Sequence, residues 1–211
     1  MTPRKLATHL NTHRYGDFIL TDAVRPGPSI PIRPREGYRV EIFRDRQLRL
    51  RLPMLSAAVS ADRLFETFLA LIAPLGEIVH VVLESSHDAD TDIHTDFRRD
   101  DIDLPVLASH LCDFENLLTN DGCTGIAVMA DNLPMEVQFD EHKLFHIYAP
   151  SLTPFRRALH QAGIRRRKLF PLISEAEHLH HTTDEFASEF RQLAMRLNVG
   201  EIDRVFSDEN W

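Results

Sequence analysis

Twice along this chain a stretch of period-two alternation doubles back on itself and then gives way to a helical stripe, which restricts the fold severely. Tyr38, Val40 and Ile42 alternate with Arg39 and Glu41, and Leu48, Leu50 and Leu52 return with Arg49 and Arg51 between them. Successive side chains of a strand point to opposite faces, so each run buries one face and wets the other. Residues paired across antiparallel strands share a face. Ile42 is therefore expected opposite Leu48 or Leu50, through a loop with an odd number of residues, with Glu41 facing an arginine outside. A second hairpin runs from Met135 to Phe139 and from Leu144 to Tyr148, turning at Asp140, Glu141, His142 and Lys143. The short echo between the two hairpins is a consequence of their patterning rather than a repeat.

Helical signals fill the intervals. Ser60 reads as the cap of a helix carrying Leu64, Phe65, Phe68, Leu71, Ile72 and Leu75, stopped by Gly76. Residues 78–83 are apolar except for His80 and suit a central strand buried on both faces. A polar loop is expected from Glu84 to about Asp101, after which Asp103 caps a helix with Pro105 in its first turn. Residues 125–129 read as another buried strand. Thr153 and Pro154 open a short helix ended by Gly163. Two capping boxes, Ser174 to Glu177 and Thr182 to Glu185, predict a helical C-terminal part bearing Phe186, Phe190, Leu193 and Leu197. The expected fold class is α+β, a largely antiparallel or mixed sheet built from two hairpins plus central strands. Helices lie mainly on one side, and the C-terminus is helical.

The chain has 211 residues, enough for one sizeable core. The reading divides it into an N-terminal arm, 1–37, a single α+β domain, 38–199, and a tail, 200–211, that includes Glu209, Asn210 and Trp211. Residues 1–37 carry an early helical pattern, and the arm's segment 25–35 holds four prolines, which favour an extended surface path. No apolar run approaches the roughly 20 residues a membrane-spanning helix needs, and no secretion signal is read behind Met1. Cys112 and Cys123 form no disulfide framework, so a reducing, cytoplasmic compartment is expected. A net charge of −8, from 32 acidic and 24 basic residues, argues against broad nucleic-acid binding, whose affinity comes from cations on phosphates.

Three clusters are candidates for chemistry. The loop holding His87, Asp88, Asp90, Asp92, His94 and Asp96 has the alternating acids of a calcium loop. An EF-hand starting at Asp88 would need glycine at 93 and glutamate at 99, where Ile93 and Arg99 stand. That leaves a looser divalent-cation site involving His87, Asp90 and His94, against the plainer reading of a solvated acidic loop. Next come Glu177, His178, His180 and His181. On a helix only His178 and His181 share a face, at i,i+3, a pairing able to hold zinc without being a protease signature. The plainer reading is imidazoles near a helix end, favoured by its dipole. Last, Arg165, Arg166, Arg167 and Lys168 form a basic cluster that suits a phosphate, a nucleic-acid ligand or an acidic partner, or a solvated corner.

No Gly-x-Ser-x-Gly elbow and no phosphate-binding glycine loop is present, and neither cysteine has a catalytic context, though Cys123 stands where an activated thiol is feasible. The acidic balance and alternating hairpins and helices resemble small chaperone-like and immunity-type α+β domains at the level of composition, with no motif behind it. The leading expectation is a non-enzymatic binding or interaction domain, acting on a protein partner or as a dimer. The alternative is a metal-dependent hydrolase with histidine and carboxylate ligands.

Overall fold

The computed structural model describes residues 10–27, 32–45, 50–87 and 94–201. One antiparallel sheet of eight strands organises them. In chain order the strands are β4 (Gly37–Asp45), β5 (Leu50–Ala58), β6 (Ile78–Ser85), β7 (Thr95–Asp103), β8 (Thr124–Ala130), β9 (Glu136–Phe139), β10 (Leu144–Tyr148) and β12 (Gly200–Glu201). In space they run β12-β7-β6-β8-β9-β10-β5-β4. Two short ribbons complete the β structure: β1 (Arg14–Tyr15) with β2 (Phe18–Ile19), and β3 (Val24–Pro26) with β11 (His178–His180). The helices are α1 (Leu64–Ile72), α2 (Leu104–Asp113), α3 (Glu115–Asn120), α4 (Thr153–Gln161) and α5 (Asp184–Leu197).

The expected α+β class, with a mostly antiparallel sheet, is what the chain adopts. All five described helices contribute to one core over one face of the sheet. Leu55, Val81, Leu83, Ile126, Val128, Val137, Phe139, Phe145 and Ile147 meet Phe68 and Leu71 of α1, Leu111 of α2, Leu117 of α3, Phe155 of α4 and Leu193 of α5. Phe68 packs against Phe139 and Phe145 with ring centroids 5.1 and 6.1 Å away. Each such fully buried side chain contributes roughly 1.5–3 kcal/mol by leaving water.

Several local expectations are corrected. The first hairpin closes through four residues, 46–49, which lie outside the described set. Its register sets Ile42 opposite Pro53 and Glu41 opposite Met54. The apolar pattern of β5 changes parity after Leu52: Leu52 pairs with Phe43 on the open face, while Leu55 and Ala57 pair with Val40 and Tyr38 on the core face, and burial of that longer stretch overrides the turn argument. Ser60 does not cap with its side chain; its hydroxyl accepts from Ile19 N at 3.0 Å, tying the N-terminal segment to the sheet. β6 is central but buried on one face only: Val79, Val81 and Leu83 are inaccessible, while Ile78 is 39% exposed. The expected polar loop is shorter than read, because residues 95–103 pair with β6 as strand β7. Its few apolar residues, Phe97 and Ile102, face the core, and its acids and arginines hid the pattern.

The C-terminal part departs most. Residues 173–175 form one 3-10 turn, in which Glu175 accepts from Leu172 N, so no helix begins at Ser174. His178, Leu179 and His180 are strand. The long helix starts later, capped by Thr183 rather than Thr182, its hydroxyl accepting from Phe186 N at 3.2 Å.

The second face of the sheet is only partly covered. Phe18, Leu20 and Val24 from the N-terminal segment and Phe170, Leu172 and Ile173 close over Ala58 and Leu144 at one end. Beyond that cover lie the alternate residues of the strands: His80, Val82 and Glu84, Met129, Glu136 and Gln138, His146 and Tyr148. No described helix is long and apolar enough to cross a membrane.

Candidate metal centre

At the covered end of this face the β9–β10 turn meets β11, and three imidazoles converge. His142 belongs to the turn, and His178 and His180 to β11. One Nε2 or Nδ1 of each lies within 4.8 Å of the others, with ring centroids 4.6, 4.8 and 4.9 Å apart. His142 Nε2 stands 3.0 Å from His178 Nε2.

The opposite nitrogens explain what these atoms present. His178 Nδ1 lies 2.7 Å from the Ala176 carbonyl and His180 Nδ1 2.6 Å from the Gly122 carbonyl. A carbonyl oxygen only accepts, so each Nδ1 carries a proton, and the Nε2 is the atom each ring can offer as a ligand. His142 Nδ1 donates to Asp140 Oδ2 at 3.0 Å. Two lone pairs facing each other at 3.0 Å repel unless a proton or cation lies between. Tetrahedral zinc with Zn–N bonds of about 2.0–2.1 Å would hold two nitrogens ~3.3 Å apart.

Backbone constraints set the rings. Strand alternation puts His178 and His180 on one side of β11 and Leu179 and His181 on the other. β11 pairs with β3 in the register His178↔Pro26 and His180↔Val24. Its end docks on the turn after α3: Gly122 N donates to His181 O at 2.7 Å, and His181 N to Ala23 O at 2.8 Å. A Cβ at position 122 would lie 2.3 Å from Ala23 O, so only glycine fits. In the β9–β10 turn, Asp140 Oδ1 accepts from Leu144 N at 2.7 Å, and Lys143 takes a left-handed φ of 61° that turns its side chain inward. There Lys143 Nζ donates to Thr124 O at 2.8 Å and lies 5.3 Å from the Phe139 ring centre.

Electrostatics follow from this burial. Burial raises Asp140, but its hydrogen bonds from His142 and His146 outweigh that and hold it well below the usual carboxylate range. Burial would lower His142, yet Asp140 keeps it above its ordinary value, as a carboxylate behind a ligand histidine does. Burial pulls His180 down, which favours its neutral form. Lys143 is pushed down to about 8 by burial. The line continues inward: Asp140 Oδ2 lies 3.4 Å from His146 Nε2, and His146 Nδ1 lies 3.0 Å from the buried Ser56 Oγ. On β6, Glu84 is pushed up to about 7, first by burial and then by the charges of Asp96, Glu141, Asp140 and Glu136.

No protein-family model, curated protein or solved structure matches this chain. The site therefore stands on its own geometry.

The sequence candidates fare differently. His178 is in the cluster. His181 is not, because the segment is a strand with period two and not a helix. Glu177 precedes β11, its carbonyl accepting from Gly27 N at 2.6 Å, and stands outside the group of three. His87 is committed elsewhere: its Nε2 lies 2.9 Å from the fully buried Asp121, which also accepts from Thr124 Oγ1 at 2.5 Å. His94 does come to the site's edge, with Nδ1 3.9 Å from Glu141 Oε2. Asp90 lies outside the described residues. The exposed basic residues 165–168 are not part of the cluster; Arg166 bridges to Tyr38 of β4, and Arg167 Nε donates to Glu36 O at 2.7 Å. Both cysteines are free, and burial pushes the Cys123 thiol up, the opposite of activation. His142 and the pairing of His178 with His180 escaped the sequence reading. The alternation His178-Leu179-His180 was the available signal.

Proposed function

We propose that the chain is a zinc protein whose ligands are the Nε2 atoms of His142, His178 and His180, and that the bound ion activates water for hydrolysis. The observation that carries this reading is the convergence of three imidazoles whose Nδ1 atoms are all engaged with acceptors. Imidazole sets suit zinc, and three protein ligands leave a fourth position for water. His180 is on the exposed side of the cluster, which supports solvent access there. Zinc would lower the pKa of that water to about 7, making hydroxide available at neutral pH. Glu141 acts by charge on both His142 and His180 and is a candidate to take the water's proton. The cytoplasmic placement expected from the free cysteines accompanies this reading.

Metal content of protein purified without chelator or histidine tag tests it. Near-stoichiometric zinc is expected, lost in His142→Ala and in His180→Ala and retained in His181→Ala. A metal-free protein that added zinc does not stabilise would overturn the reading.

One observation favours a second reading, the interaction domain expected from sequence. β4 is an edge of the sheet, met among the described residues by the 165–167 segment at Tyr38, and its Ile42 is 45% exposed. A partner strand or a second copy would add to such an edge.

A further inference from the structure

The open face of the sheet holds a second feature, at the end away from the histidines. A cavity of about 510 Å³, within the usual range of small-molecule sites, lies over β8, β9 and β10 and reaches the edge hairpin. Phe43 and Tyr148 form one wall, their rings edge to face with centroids 5.1 Å apart. Met129 and Met135 supply adaptable apolar surface. At its base is Glu136, which pairs across the ladder with both Met129 and Tyr148.

Charge decides what such a cavity takes. Glu136 Oε1 accepts from Gln138 Nε2 at 2.6 Å, and among the described residues no cation forms a salt bridge with it. The basic side chains lining the cavity already have acidic partners. Arg98 Nε is 2.8 Å from Asp100 Oδ1, while His80 lies 3.1 Å from Asp100 and 3.5 Å from Asp131. Burial pushes Glu136 up, and Tyr148 is pushed up by burial and then by the charges of Glu136, Asp140 and Glu84. The field in the cavity is therefore negative, beside two aromatic rings.

We infer that this cavity binds a small organic ammonium ion with an apolar body, its nitrogen on Glu136 and against the Phe43 and Tyr148 rings. A carboxylate or phosphate ligand would meet Glu136, Asp131 and the field of Glu84. A neutral apolar ligand would fill the walls and leave Glu136 without a counter-charge. An ammonium group satisfies both demands: it pairs with the half-buried carboxylate and is attracted to the ring faces. The inference does not rest on the zinc reading. Glu136 is four residues from Asp140 along the chain, roughly 13 Å of extended strand, so the two features are separate stations on one face.

Calorimetric titration with three probes of one shape tests it: 2-phenylethylamine, 2-phenylethanol and phenylacetate, each with and without added zinc. The amine is expected to bind at least about tenfold more tightly than the alcohol, with the acid weakest, zinc making no difference. Glu136→Gln should bring the amine to the level of the alcohol, and Phe43→Leu, on the edge strand, should weaken it several-fold with unfolding temperature retained. Equal binding of amine and acid, or amine binding unchanged in Glu136→Gln, would overturn the inference. So would an amine response seen only with zinc, since that places the nitrogen on the metal.

Discussion

Glu84 shows how one residue registers its surroundings. Burial first, and then the charges of Asp96, Glu141, Asp140 and Glu136, raise its carboxyl to about 7. In the unfolded chain the same group titrates near 4.5. Between those values the folded protein holds the proton and the unfolded chain does not, so stability falls as pH rises through this window. A shift of this size corresponds to roughly 3 kcal/mol, fully lost above pH 7. Glu84→Gln should flatten the fall between pH 4.5 and 7 and make the protein more stable at pH 8, read from urea unfolding. If the slope over that window is unchanged in the variant, Glu84 is not its source. Nothing in the local sequence signalled this: Glu84 reads as the start of a polar loop, and its neighbours come from β7, β9 and the β9–β10 turn.

At the scale of elements, the candidate centre depends on how β11 is held. Three residues of strand have little stability alone. β11 is kept in place by its ladder to β3 and by the docking of His181 on Gly122. Gly27 and Gly122 both lie where the backbones approach too closely for a side chain, with Glu177 Cγ 2.6 Å from a Cβ at 27. Gly122→Ala must push β11 away, since the obstacle is backbone. We expect a loss of more than about 2 kcal/mol, the upper part of the usual range for single substitutions, together with loss of zinc binding. Rescue of zinc binding without recovery of stability would show that the two are unrelated. The same element explains the misreading of residues 174–181. Ser174, Glu177 and the histidines satisfy a helix's local preferences, and only pairing with β3 makes the segment a strand.

For the whole molecule, the ligands come from two distant parts of the chain, the β9–β10 turn and β11, 36 residues apart. Zinc would bind the folded state and find no such site in the unfolded chain. At a hundredfold excess over its dissociation constant it should therefore add about 2.7 kcal/mol of stability. Thermal unfolding with and without zinc measures this, and an unchanged midpoint under saturating metal would contradict the linkage. The sequence by itself determined the α+β class, the second hairpin and its turn, the helices carrying Phe68, Leu111, Phe155 and Leu193, and a histidine-rich segment near 180. Those features are written in short-range periodicity, because an amphipathic element must present one apolar face wherever it packs. Only the tertiary structure decided the register of the first hairpin, the strand made of residues 95–103, and the choice of His180 over His181. It alone brought His142 to that pair and set Glu136 in one cavity with two aromatic rings. Each of these depends on which strand lies next to which, and a sheet's neighbours are chosen by burial across the whole chain rather than by any one stretch of it.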